Sequence, residues 1–181
     1  MIGLFGSFFL LGVVIGCITL TRLGDIFGRK PIFMLGMVMQ ICITIAIVII
    51  SNMYIAYVLC FLEGISLTGK QYVGYSYLIE NQPKNKQVIV GSLEFIAEGF
   101  VSFLVCMFFL WVSKDWRFLM IPTIALSIFG TVMMFFQPES PRFLVSKGKF
   151  DEARKVFSII ARKNGKGTDF AEYFIFTDEI A

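Results

Sequence analysis

An all-α integral membrane fold with five transmembrane helices is what this sequence predicts, and three observations predict it. The 181 residues are 57% hydrophobic and 16% charged, where a soluble domain carries roughly 25% charge. Mean hydropathy is +0.78. Long apolar runs alternate with short polar separators, and each run approaches or exceeds the ~20 residues that a helix needs to cross a bilayer.

The expected spans are Met1–Thr21, Pro31–Ser51, Met53–Ile79, Val88–Val112 and Trp116–Gln137. The first has no charge through Leu20, lacks a basic start and is too long for a signal peptide. Its Gly12 and Gly16 form a small-xxx-small pair, which lets a neighbouring helix approach closely. Arg22 to Lys30 separates it from the second span, uncharged from Ile32 to Ser51. Ser51-Asn52 leads into the third span, which holds Glu63 and Lys70. Glu80 to Gln87 precedes the fourth, which holds Glu94 and Glu98, and Ser113 to Asp115 precedes the fifth.

After Gln137 the chain turns charged. Phe150, Ala153, Val156, Phe157 and Ile160 recur at helical spacing, Asp151 and Glu152 open the segment, and Arg162 and Lys163 close it. That pattern predicts an amphipathic helix over 148–163 whose end charges suit the helix dipole. The organisation is therefore a transmembrane bundle over 1–137, a charged segment with its amphipathic helix over 138–167, and a tail over 168–181. The tail mixes Phe with acids without a period and reads as disordered or partner-bound.

Lysine and arginine set the orientation. Arg22, Arg29 and Lys30, then Lys84 and Lys86, then eight basic residues from Arg142 to Lys166 all fall on one side, against Lys114 and Arg117 on the other. By the positive-inside rule the basic side is cytosol-like, the N-terminus is outside and the C-terminus is inside. The chain has no histidine, which excludes histidine catalysis and histidine metal sites. Cys17, Cys42, Cys60 and Cys106 stand singly in apolar runs and read as small buried side chains. No phosphate loop, nucleophile–base set or metal cluster is visible. No enzymatic activity, cofactor, metal or nucleic-acid partner is expected.

Three motifs then fall in order. Gly24-Asp25-Ile26-Phe27-Gly28-Arg29-Lys30 joins the first two spans. Tyr75 to Pro83 ends the third, with Glu80 three residues before the Pro. Pro138-Glu139-Ser140-Pro141-Arg142-Phe143-Leu144 follows the fifth. Together they resemble the major facilitator superfamily, and the last resembles the sixth-helix motif of its sugar porters and organic-ion transporters. Trp116-Arg117 and the run from Gly148 to Gly165 look more like the organic-ion branch. Departures are Thr21 and Ile26 in the first motif, Cys60 where an Arg is usual, and Gln87 in place of a basic residue.

The resemblance covers family helices two to six. It implies a partial six-helix half-bundle whose first helix and whole second half lie outside this chain. It also implies alternating-access transport, and a cytosolic gate or charge network of Asp25, Gly28, Arg29, Lys30, Glu80, Glu139 and Arg142. The competing reading of those charges is loop solubility and topology.

Glu63, Lys70, Glu94 and Glu98 form a candidate intramembrane charge site, because ionisable residues in lipid are costly and face a bundle interior. Lys70 and Glu98 each lie ten residues from the basic end of their spans, a depth of about 15 Å. This predicts a Lys70–Glu98 pair, either a site for a polar or ionic solute or a proton, or a structural pair. Two function classes follow. One is part of a solute transporter, with organic ions first and sugars second. The other is a non-transporting subunit of a larger membrane complex. Expected partners are the lipid bilayer, the missing half of a transporter or other membrane subunits, and a small polar or ionic solute.

Overall fold

The computed structural model describes residues 2–50 and 52–165, and these form α-helices joined by short links. They are α1 (Ile2–Phe27), α2 (Arg29–Ile49), α3 (Met53–Glu80), α4 (Lys84–Trp111), α5 (Arg117–Phe135), α6 (Pro141–Ser146) and α7 (Phe150–Lys163). The expectation for 168–181 lies outside the described residues.

Four described helices are long and apolar enough to cross a membrane: 3–27, Arg29–Ile49, Lys84–Trp111 and Arg117–Phe135. The third expected span is helical throughout as α3, with 28 residues, but it is not among the four. Its Glu63, Lys70, Gln71, Ser66 and Thr68 make it the most polar of the long helices. It tolerates them because it packs between α1 and α2, with Ser66, Thr68 and Val73 fully buried.

Glycine makes that packing possible. A methyl on Gly12 would collide with the Phe61 carbonyl, and one on Gly16 would stand 2.7 Å from Thr68 Oγ1. The pair that the sequence offered for close approach therefore faces α3. On its other side α3 meets α2, where a methyl on Gly36 would lie 2.8 Å from the Gly69 carbonyl carbon and from Lys70 N. Ser66 Oγ donates to the Gly36 carbonyl at 2.9 Å across this seam. Leu20, Ile32 and Val73 close a small apolar core at the Asp25 end.

The remaining helices pack less closely. α5 lies against α2, and α4 touches α3 along few residues, with Gly91 its sole buried residue among those described. Cys42 and Cys106 are exposed, and Cys17 and Cys60 are half-buried. This corrects the expectation of buried cysteines: Cys106 on the loosely packed α4, and Cys42 on α2, stand on surface that lipid would cover.

Beyond α5 the chain caps and turns back. Ser140 caps α6, its Oγ accepting from Phe143 N at 3.4 Å, and Pro141 occupies the first turn, where a missing N–H costs nothing. α7 runs over 150–163, with Gly148 turning the chain at φ 70 just before it. Leu144, Ala153 and Val156 form its core, joined by Phe143, Phe150, Phe157 and Ile160. The amphipathic stripe thus packs first on α6.

Candidate functional site

Gly28 breaks the helix between α1 and α2 with φ 118, a conformation open to glycine because it has no Cβ. A methyl there would also lie 2.6 Å from Glu139 Oε2. The break directs two loop charges and a backbone N–H toward the neighbouring helix ends. Arg29 pairs with Asp25 at 2.7 Å and with Glu80 Oε1 at 3.2 Å. Glu80 Oε2 accepts from Ser140 Oγ at 2.6 Å. Glu139 Oε1 accepts from Lys30 N at 3.0 Å and from Ser140 N at 2.9 Å. Lys30 Nζ donates to the Phe135 carbonyl at 3.0 Å and to that of Gln137 at 2.5 Å, a cation at the negative end of α5. The Tyr77 hydroxyl donates to the Pro138 carbonyl.

These bonds tie the basic ends of α1, α2 and α3 to the α5–α6 link. Of the residues expected in a network, Asp25, Gly28, Arg29, Lys30, Glu80 and Glu139 come together. Arg142 does not. It is exposed and makes no hydrogen bond or ion pair among the described residues. The reason is local: α6 buries Pro141 and Leu144, which share a face, and residue 142 falls on the outer side. The Arg29 and Glu80 side chains are each 17% exposed, against 58% for Asp25. Arg29–Glu80 is thus the sheltered link, while the Asp25–Arg29 pair has one exposed partner and is screened toward the ~0–1 kcal/mol of surface pairs.

The intramembrane residues assemble differently from the expectation. No ion pair joins Lys70 to Glu98 or Glu63 among the described residues. The neighbouring amide takes the place expected for the lysine: Gln71 Nε2 donates to Glu94 Oε1 at 3.1 Å and to Glu98 Oε2 at 3.3 Å. Glu94 and Glu98, one turn apart on α4, are thereby joined to α3 through a neutral side chain. The physical cause is helical phase. Residues 70 and 71 share a depth but differ by about 100° around the axis. Glu63 stands apart, with Oε2 buried and unpartnered among the described residues, as is Oε1 of Gln40 on α2.

A cavity of about 860 Å³ opens among α2, α3, α4, α5 and α7, lined by Phe33, Lys70, Gln71, Glu94, Met134 and Ile160 among others. Sequence reasoning missed Gln71, Ser140 and Tyr77 as partners, and Gln40 as a buried amide. Gln40 carried a signal, as the lone amide in an otherwise apolar second span. Gln71, beside an intramembrane lysine, carried a weaker one.

The chain matches the family described as "Sugar (and other) transporter" over residues 1–179. It is 28% identical over 159 residues to the human organic cation/carnitine transporter 2, which covers 88% of this chain and 28% of that protein. It is 32% identical over 163 residues to the organic cation transporter-like protein of Drosophila melanogaster, with 87% of this chain and 28% of that one covered. It is 27% identical over 179 residues to the sugar transporter ERD6-like 15 of Arabidopsis thaliana, with 98% and 37% covered. The chain therefore spans between 28% and 37% of the length of these relatives.

Proposed function

Because the chain belongs to the sugar (and other) transporter family and is an integral multi-pass membrane protein, we propose that it forms part of a transporter moving organic cations by alternating access. The observation that carries this reading is the charge network at the basic end. Among the described residues it joins the ends of α1, α2 and α3 to the α5–α6 link, which suits helix ends that move as one block. Asp25, half-exposed beyond its arginine, and Arg142, outside the network, remain for a surface brought against that end. A block with charges left on its closing face can meet and release a second bundle as the two rock, when the two arrangements are nearly balanced.

Orientation follows from the basic residues: the Asp25 end faces the cytosol and the N-terminus lies outside. Three acids, Glu63, Glu94 and Glu98, stand against Lys70 within the spans, which favours a cationic solute. The proteins named as organic cation transporters among its relatives support the same class. In this fold a substrate site lies near the midplane between two halves, so the site needs the missing half or other subunits.

The test uses the full-length protein in cells, with tetraethylammonium as the cationic probe and glucose as the neutral one. Asp25→Asn and Arg142→Ala should each reduce tetraethylammonium uptake far more than surface abundance. Normal uptake by both would refute the gate. Saturable glucose uptake without tetraethylammonium uptake would move the substrate class to sugars. Residues 1–181 expressed alone should show no saturable uptake. Activity of a monodisperse monomer would refute the need for a second half.

A further inference from the structure

Two lysines from different elements open onto one cavity without a counter-charge. Lys86 stands in the first turn of α4 and Lys163 ends α7, and both line the cavity among α2, α3, α4, α5 and α7. Both are exposed, and neither joins an ion pair among the described residues. Lys163 Nζ donates to Gln137 Oε1 at 3.5 Å, the outer limit of a hydrogen bond. Gln82, Gln137 and Asn164 line the same cavity, and no hydrogen bond among the described residues uses their side-chain N–H groups.

The helix ends fix the level of these groups. α3 ends at Glu80, α4 starts at Lys84 and α5 ends at Phe135. The Tyr77 hydroxyl bonds the Pro138 carbonyl, and Lys163 reaches Gln137, so the ends of α3, α5 and α7 meet at one rim. That rim is where the apolar spans stop, at the depth of lipid headgroups. Behind it the walls turn apolar with Phe33, Met134 and Ile160. Glu94 is the one acid lining the cavity among the described residues. It lies eight residues beyond Lys86 on α4, about 12 Å deeper, so no carboxylate stands at the rim itself.

Ammonium groups and amide N–H groups donate, so the rim calls for a negatively charged acceptor. Basic pockets between transmembrane helices at the membrane surface suit anionic headgroups. We propose that this rim binds the phosphate of an anionic phospholipid, with the glycerol and first acyl carbons against the apolar wall. A lipid with a choline headgroup brings a fixed cation to the same place, which the two lysines repel. The apolar wall directly behind the amines favours a lipid over a soluble phosphate. The site goes beyond the transport reading, because it needs only that the chain lies in a membrane. Its deep end, with Lys70 and Glu94, plays no part in it.

Native mass spectrometry of the full-length protein with equimolar phosphatidylglycerol and phosphatidylcholine tests it without an uptake assay. The expected result is a marked excess of phosphatidylglycerol adducts. A lysine near an anionic surface contributes about fivefold to binding, so Lys86→Gln with Lys163→Gln should cut that excess about 25-fold. Lys147→Gln with Lys155→Gln removes the same charge, and neither residue lines the cavity. That control should cost under about threefold, because distant exposed charges are screened. Equal adducts of both lipids on the unmodified protein, or equal losses in the two double variants, would overturn the proposal. Displacement of the lipid by millimolar inorganic phosphate would assign the rim to a soluble phosphate and overturn the lipid. The lipid-preference and phosphate arms need no variant, so misfolding of either double variant leaves the proposal open to refutation. Failure here would leave the transport reading intact, and failure of uptake would leave this one intact.

Discussion

Replacing Ser140 with Ala removes two bonds at one buried point. Ser140 is fully buried. Its hydroxyl donates to Glu80 Oε2 at 2.6 Å and accepts from Phe143 N at 3.4 Å. A hydrogen bond to a charged group contributes about 1.5–3 kcal/mol. An N-cap contributes about 1 kcal/mol, and the long cap distance puts this one at the low end. Together they make about 2–4 kcal/mol for the docking of α6 and α7 under the bundle. Each ~1.4 kcal/mol is tenfold in an equilibrium, so local opening should rise about 30- to 700-fold. Hydrogen–deuterium exchange of the full-length protein in nanodiscs reads this directly. Amides of α6 and α7 should exchange faster by that margin, while those of α1 and α3 stay unchanged. Ser146→Ala is the control, because its exposed hydroxyl reaches only the Phe143 carbonyl at 2.8 Å. An increase under about threefold in Ser140→Ala would refute the idea that Glu80 and Ser140 together hold the two small helices in place.

Gly12→Val should sharply lower the folded yield, because its side chain would enter the Phe61 backbone, whereas Gly6→Val, with open space around it, should fold normally; size-exclusion profiles decide between them. Overpacking of this kind costs about 1–3 kcal/mol. Membrane-impermeant labelling of single cysteines should place residues 22–30 and 138–165 on one side and residues 113–115 on the other. Labelling of 22–30 and 113–115 from the same side would refute the crossing pattern. Replacing Phe150, Phe157 and Ile160 with Ser should speed proteolysis of α7 several-fold while leaving the transmembrane helices inserted. Unchanged cleavage would mean that the α6 contact does not hold α7.

Much of this architecture was legible because hydropathy and helical period carry it. The four apolar spans, the stripe of α7 and the Gly12–Gly16 contact all depend on residue spacing alone. The charged turn was legible as a unit, although its helices run further than its polarity suggested: α1 reaches Phe27 and α4 begins at Lys84. What spacing could not give was azimuth between helices. Depth alone favoured a Lys70–Glu98 pair, but the side chain that reaches α4 is Gln71, one residue and a quarter-turn on. Arg142 was placed by its motif, and the short α6 turned it outward. Orphaned atoms such as Gln40 Oε1 are invisible in a sequence, because they are defined by partners that fail to arrive.

The unequal sides of α3 bear on how this protein can change over time. Toward α1 and α2 its glycines sit close to the neighbouring backbones: an added carbon at Gly64 would collide with the Phe9 carbonyl, and one at Gly69 would press on Gly36 Cα at 3.2 Å. Toward α4 its contacts are made by side chains, Gln71 to the two glutamates and the Tyr75 ring against Phe95. A saturation-mutagenesis map of α3 should therefore vary with angle around the axis more than with depth. One flank should admit almost no alleles, and the other should admit many. Variation that alters polarity at positions 71, 94 and 98 can accumulate on the permissive flank without disturbing the glycine seams. Lineages of this fold can then diversify along that flank while inheriting an unchanged scaffold.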